Sequence, residues 1–189
     1  MVKRVFIVHY WHGNPDGCWY PWLKGQLEKK GYKVFIPKMP DTDNPNINKW
    51  VSHLKKAVGK PDKDTSFIGH SIGCQAIMRY IESINTKDDI KIAGIFFVAG
   101  WLSLSPVVTD SEEGPIARPW LDTKIDFKKT TSSTKNITAL FSSNDPYVPS
   151  ENVKLFKELL NAKTLVEKDM GHYDDDSGTT KIPVMLKYF

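Results

Sequence analysis

Gly69-His70-Ser71-Ile72-Gly73 sets a serine between two glycines, where an apolar run from Thr65 to Gly69 gives way to a helically spaced segment, Ile72 to Ile84. A serine hydroxyl is a weak nucleophile unless a base takes its proton and a third group orients that base. Both partners follow later in the chain. Asp145 lies in Ser142-Ser143-Asn144-Asp145-Pro146 and His172 in Met170-Gly171-His172-Tyr173. A sharp strand-to-helix turn would lift the Ser71 hydroxyl above a sheet edge, and it needs small residues on either side. The backbone N–H of Ile72 would then stand at the head of a helix, where partial positive charge favours a developing oxyanion. The implied chemistry is acyl transfer to water through an acyl-enzyme, with Ser71, Asp145 and His172 as a triad and no cofactor.

Other residues compete for these roles or surround them. Asp145 before Pro146 also suits an ordinary turn. Asp174, Asp175 and Asp176 follow His172 too closely for the expected order and read as a solvated acidic patch. His9 and His12 lack a third ligand at a suitable spacing, so no metal is expected. Their loop is better suited to complete the oxyanion hole through the N–H of Tyr10, with Trp11 as the neighbouring option. His70 is expected to pack or hydrogen-bond locally, His53 to be solvated, and Cys74 to be a small buried residue. Trp11 and Trp101 are candidates for the substrate pocket.

These groups need a frame that gathers distant residues at one edge. Short apolar runs at Val5–Val8, Lys33–Pro37, Thr65–Gly69, Lys91–Val98, Ile137–Phe141 and Lys163–Glu167 read as six strands. Helical spacing separates most of them: Trp22, Leu23 and Leu27 after Pro21; Ile47 to Val58; Ile72 to Ile84; and Val153 to Leu160 after Ser150 as N-cap. A last helix is expected over Ile182–Phe189. Strand–helix alternation predicts an α/β fold, a mostly parallel six-stranded sheet with helices on both faces. Ser71, Asp145 and His172 each follow a strand, so topology carries them to the carboxyl edge, where such sheets bind ligands. The 189 residues fit one domain with little or no cap, residues 100–135 forming at most a short lid or rim.

Composition is that of an ordinary folded chain, 40% hydrophobic and 25% charged, with a net charge of +4 spread along the sequence. Nothing clusters into a basic nucleic-acid-binding face, no stretch is long enough to span a membrane, and two cysteines make no disulfide framework. A cytoplasmic setting is the expectation.

The motifs also carry a likeness. Gly69-His70-Ser71-Ile72-Gly73, Cys18-Trp19-Tyr20-Pro21-Trp22-Leu23, Met39-Pro40-Asp41 through Pro45 to Trp50, Asn144-Asp145-Pro146 and Gly171-His172 resemble the small serine hydrolases related to retinoblastoma-binding protein 9, within the α/β-hydrolase superfamily. The resemblance implies a compact α/β-hydrolase fold and the same Ser71–Asp145–His172 triad. His9-Tyr10-Trp11-His12 departs from it, standing where many members carry His-Gly or Pro-Gly. The Leu-x-Cys-x-Glu segment for binding retinoblastoma protein is absent, so that partnership is not implied. A small carboxylic ester is the expected substrate. An amidase or other acyl-transfer activity, and a non-catalytic binding protein on this fold, are the alternatives.

Overall fold

The structure, a computed structural model, describes residues 2–85, 87 and 89–189. Strands β1 (Arg4–Val8), β2 (Lys33–Phe35), β3 (Thr65–His70), β4 (Gly94–Val98), β5 (Ile137–Ser142) and β6 (Lys163–Glu167) form one sheet in the order β2-β1-β3-β4-β5-β6. All neighbouring strands are parallel. β3 and β5 are buried along their whole length, as expected of strands covered on both faces. The period-2 alternation of β1 feeds both sides. Phe6 and Val8 join Phe67, Phe97, Trp50 and Ile77 in one core, while Val5 and Ile7 join Ile68, Phe96, Trp19 and Leu23 in the other.

The helices are α1 (Tyr20–Lys29), α2 (Ile47–Val58), α3 (Ile72–Ile84), α4 (Pro106–Thr109), α5 (Gly114–Asp122), α6 (Phe127–Ser133) and α7 (Glu151–Leu160). In α2 the Asn46 side chain accepts from Lys49 N, and Trp50, Leu54 and Val58 form the buried stripe. The chain passes from β1 outward to β2, then back across to β3, so the loops leaving β1 and β3 diverge. That reversal opens a crevice at the carboxyl edge between them.

Several boundaries differ from the sequence expectation for physical reasons. β2 stops at Phe35, two residues before Pro37, which has no N–H for a ladder. β4 starts at Gly94, because Ile92 N–H donates to Ser133 O instead. Ser150 has helical backbone angles and makes no side-chain cap. The last segment is a 3-10 helix, Pro183–Tyr188, that buries Met185. Residues 100–135 hold α4, α5 and α6 and pack inward: Ala117 and Trp120 are buried, and the Trp120 indole donates to Pro45 O at 2.9 Å. From α3, the buried Arg79 donates to Trp120 O (2.8 Å), Thr123 O (2.7 Å) and Lys124 O (3.4 Å). These carbonyls lie at and beyond the end of α5, where helix C=O groups lack internal partners.

Candidate active site

Ser71 sits at the β3–α3 junction with φ 54° and ψ −122°, a left-sided backbone conformation that costs a non-glycine residue about 1–3 kcal/mol. The surrounding fold enforces it. Ser71 N–H donates to Val98 O at 2.9 Å, and Cys74 N–H returns to Ser71 O at 3.0 Å. Both flanking glycines are required by close approach. A Cβ on Gly73 would lie 2.3 Å from Val8 O, and one on Gly69 would lie 2.8 Å from Cys74 Cα. Ile72 opens α3, so its N–H has no helical carbonyl to meet.

Asp145 and His172 leave β5 and β6 at the same edge. His172 Nδ1 and Asp145 Oδ2 are 2.8 Å apart, and their side chains are 7% and 3% exposed. Asp145 is fixed in turn, since Oδ1 accepts from Tyr147 N (2.9 Å) and Val148 N (3.1 Å). Gly171, at φ 57°, donates to Asn144 Oδ1 at 2.8 Å and ties the two loops together. A carboxylate facing Nδ1 selects the tautomer protonated there, which leaves Nε2 with a lone pair.

Beneath this pair lies a buried polar chain that the sequence did not disclose. His70 is not a local packer. Its Nδ1 faces the Tyr20 hydroxyl at 2.6 Å and its Nε2 faces His172 O at 2.8 Å. One assignment satisfies every group: Tyr20 donates to Nδ1, and Nε2–H donates to the carbonyl. Burial, and then the neighbouring His172, push the His70 pKa well below the ordinary imidazole range. The Tyr20 hydroxyl also accepts from Tyr10 N–H at 3.2 Å. This corrects the choice of Tyr10 as oxyanion donor, since its N–H is already engaged by a side chain reaching up from α1. Trp11 N–H has no hydrogen-bond partner among the described residues and is left available as a donor. His9 is likewise structural: Nε2 accepts from Met39 N at 3.1 Å and Nδ1 lies 2.9 Å from Tyr10 O. Burial lowers its pKa as well.

Ser71 and His172 line one cavity of about 360 Å³. Trp11, Trp101, Tyr10 and Tyr147 contribute its aromatic surface, so both tryptophans singled out from sequence face it. The carboxylates Glu113, Asp174 and Asp176 line it too. Asp174 is not part of a solvated patch. It is 5% exposed and folds its turn around Oδ1, which accepts from Ser177 N (2.9 Å) and Ser177 Oγ (2.7 Å). Asp175 stays exposed and accepts from Cys18 N at 2.8 Å and the Tyr10 hydroxyl at 3.0 Å. Burial and then Asp174, Asp176, Glu113 and Asp145 raise the pKa of the Tyr147 hydroxyl. His12 bridges Asp43 Oδ1 and Glu113 Oε1, each at 2.9 Å, linking the β1 loop to the start of α5. A second cavity, about 450 Å³, opens at the opposite edge of the sheet among Lys3, Lys63, Lys135 and Lys163, away from Ser71.

Comparison with known proteins agrees with this architecture. The serine hydrolase family model matches residues 5–189. The YdeN protein of Bacillus subtilis (strain 168) is 26% identical over 185 residues, covering 98% of this chain and 93% of that one. Its crystal structure superposes with a TM-score of 0.88, covering 100% of this chain and 99% of the other. The serine hydrolase RBBP9 of Rattus norvegicus is 25% identical over 158 residues, 83% of this chain and 78% of that one. A carboxylesterase structure from Nitrososphaera gargenis shares the fold at a TM-score of 0.64 and 14% identity, covering 91% and 84% of the two chains.

Proposed function

Because the chain belongs to the serine hydrolase family, we propose that it cleaves small carboxylic esters through an acyl-enzyme on Ser71. One observation carries the reading: the buried 2.8 Å His172–Asp145 contact opens onto the same cavity as the strained Ser71 turn. His172 Nε2 takes the Ser71 proton as Oγ attacks the ester carbonyl. Asp145 holds the imidazole and stabilises the imidazolium. The N–H groups of Ile72 and Trp11 receive the oxyanion, Ile72 with the help of the α3 N-terminus. As the tetrahedral adduct collapses, His172 gives its proton to the departing alcohol. It then draws a proton from water, which attacks the acyl-serine, releases the acid and restores Oγ–H.

A cavity of about 360 Å³ suits a short acyl or aryl group better than a long lipid chain. The test is labelling by a fluorophosphonate together with turnover of p-nitrophenyl esters of graded chain length and their amide counterparts. Wild type is expected to label and to cleave the short esters, and Ser71→Ala to do neither. Folded wild type that resists the probe overturns the nucleophile assignment; cleavage of amides but not esters overturns the ester assignment.

A further inference from the structure

The charge around Ser71 runs against the charge of the molecule. The chain carries 26 Lys and Arg against 22 Asp and Glu, yet neither Lys nor Arg lines the cavity that holds Ser71 and His172. Glu113, Asp174 and Asp176 do line it. Four lysines stand instead at the opposite edge of the sheet. Such segregation biases the cavity toward negative charge, with His12 and His172 as the cation-capable groups on its wall. Glu113 alone meets a cation-capable group, His12, at 2.9 Å. Asp174 and Asp176 are in no ion pair among the described residues.

Asp174 is the informative member. A carboxylate 5% exposed is normally saturated with donors, and Oδ1 meets that expectation through Ser177. Oδ2 has no hydrogen-bond partner among the described residues, although the side chain borders the cavity. A half-satisfied carboxylate two residues from His172 leaves room for a donor or cation supplied from outside. The remaining walls suit the same visitor. Trp11, Trp101 and Tyr147 present aromatic surface, and aromatic faces attract alkylammonium groups where water is partly excluded.

We propose that the cavity selects esters bearing a protonated or quaternary amine, held between Asp174, Asp176 and Glu113 and the aromatic walls while Ser71 attacks the carbonyl. The proposal rests on Ser71 being the nucleophile. The amine can belong to the acyl group or to the alcohol, and the test separates the two.

The probes are p-nitrophenyl phosphonates, in which Ser71 Oγ bonds to phosphorus, p-nitrophenolate leaves and the proton passes to His172. One pair varies the acyl side, 3-(trimethylammonio)propyl against its tert-butyl isostere. The other varies the alcohol side, choline against 3,3-dimethylbutanol. Each labelling rate is divided by the probe's rate with hydroxide, which removes intrinsic reactivity. At least one cationic probe is expected to label wild type about tenfold faster than its neutral isostere, a 1.4 kcal/mol preference. That ratio is expected to fall several-fold in Asp176→Asn and in Glu113→Gln, and to shrink in 0.5 M NaCl. A ratio of one or below in both pairs, with Ser71 still labelled, overturns the charge selection and leaves the hydrolase intact. No labelling by any probe overturns the nucleophile assignment and the charge selection with it.

Discussion

His70 links acid stability to the architecture beneath the site. Its ring is fully buried between the Tyr20 hydroxyl and the His172 carbonyl, and its pKa is lowered well below 6.5. The unfolded chain therefore takes up a proton that the folded chain refuses. Stability is present in full above the unfolded pKa near 6.5 and is lost as pH falls below it, until the depressed folded value is reached. One such group gives a slope that approaches about 1.4 kcal/mol per pH unit below the unfolded pKa, for as long as the pH stays above the depressed folded value. His9, also lowered by burial, adds a contribution of the same sign. His70→Gln removes the titration while keeping an amide donor and a carbonyl acceptor. Urea unfolding at half-unit steps from pH 7.5 to 4.5 is the assay. The variant is expected to start less stable at neutral pH, yet to lose about 1.4 kcal/mol less per pH unit below 6. His9 and the carboxylates form a background common to both proteins. Parallel curves for wild type and His70→Gln would refute the reasoning.

Three further outcomes follow from the geometry. Asp145→Asn turns an amide toward His172 Nδ1–H or forfeits the two backbone donors on Oδ1, and kcat for ester cleavage is expected to drop about 10³–10⁴-fold with labelling slowed in parallel. Tyr20→Phe leaves Tyr10 N–H and His70 Nδ1 without partners and is expected to cost about 1–3 kcal/mol in urea unfolding, with circular dichroism unchanged. Gly73→Ala drives a methyl to 2.3 Å from Val8 O and is expected to lose at least about 3 kcal/mol, whereas Gly25→Ala, with nothing within 4 Å of its Cβ, gains about 0.5–1 kcal/mol from reduced chain entropy; thermal melts of the two side by side give the contrast.

What the sequence revealed and what it concealed divide along physical lines. Strands buried on both faces advertise themselves as apolar runs, so β1, β3 and β5 were legible almost to the residue. The order Ser71, Asp145, His172 was legible because each follows a strand, Ser71 and Asp145 just after the buried β3 and β5 and His172 a few residues beyond the edge strand β6. Contacts between residues far apart in the chain were not. Tyr20 and His70 are 50 positions apart, and nothing local to either tells that one hydroxyl serves both an imidazole and Tyr10 N–H. The engagement of Tyr10 N–H by Tyr20 was hidden for that reason. Asp174 was misread because three consecutive aspartates look solvated, while its burial depends on Ser177 turning back to meet it. Residues 100–135 resisted reading because proline breaks their periodicity and their order comes from α3 beneath.

Arg79 carries a consequence for how substrate reaches Ser71. It belongs to α3, the helix that Ser71 heads, and it grips the end of α5 through three carbonyls. Lifting α5 would break these bonds, and a well-formed hydrogen bond to a charged group contributes about 1.5–3 kcal/mol, so the closed arrangement is favoured. The rim formed by α5 is thus fastened to the helix that Ser71 heads. Turnover should begin without a lag and rise smoothly with dissolved substrate, with no jump when an ester passes its solubility limit and presents an oil–water boundary.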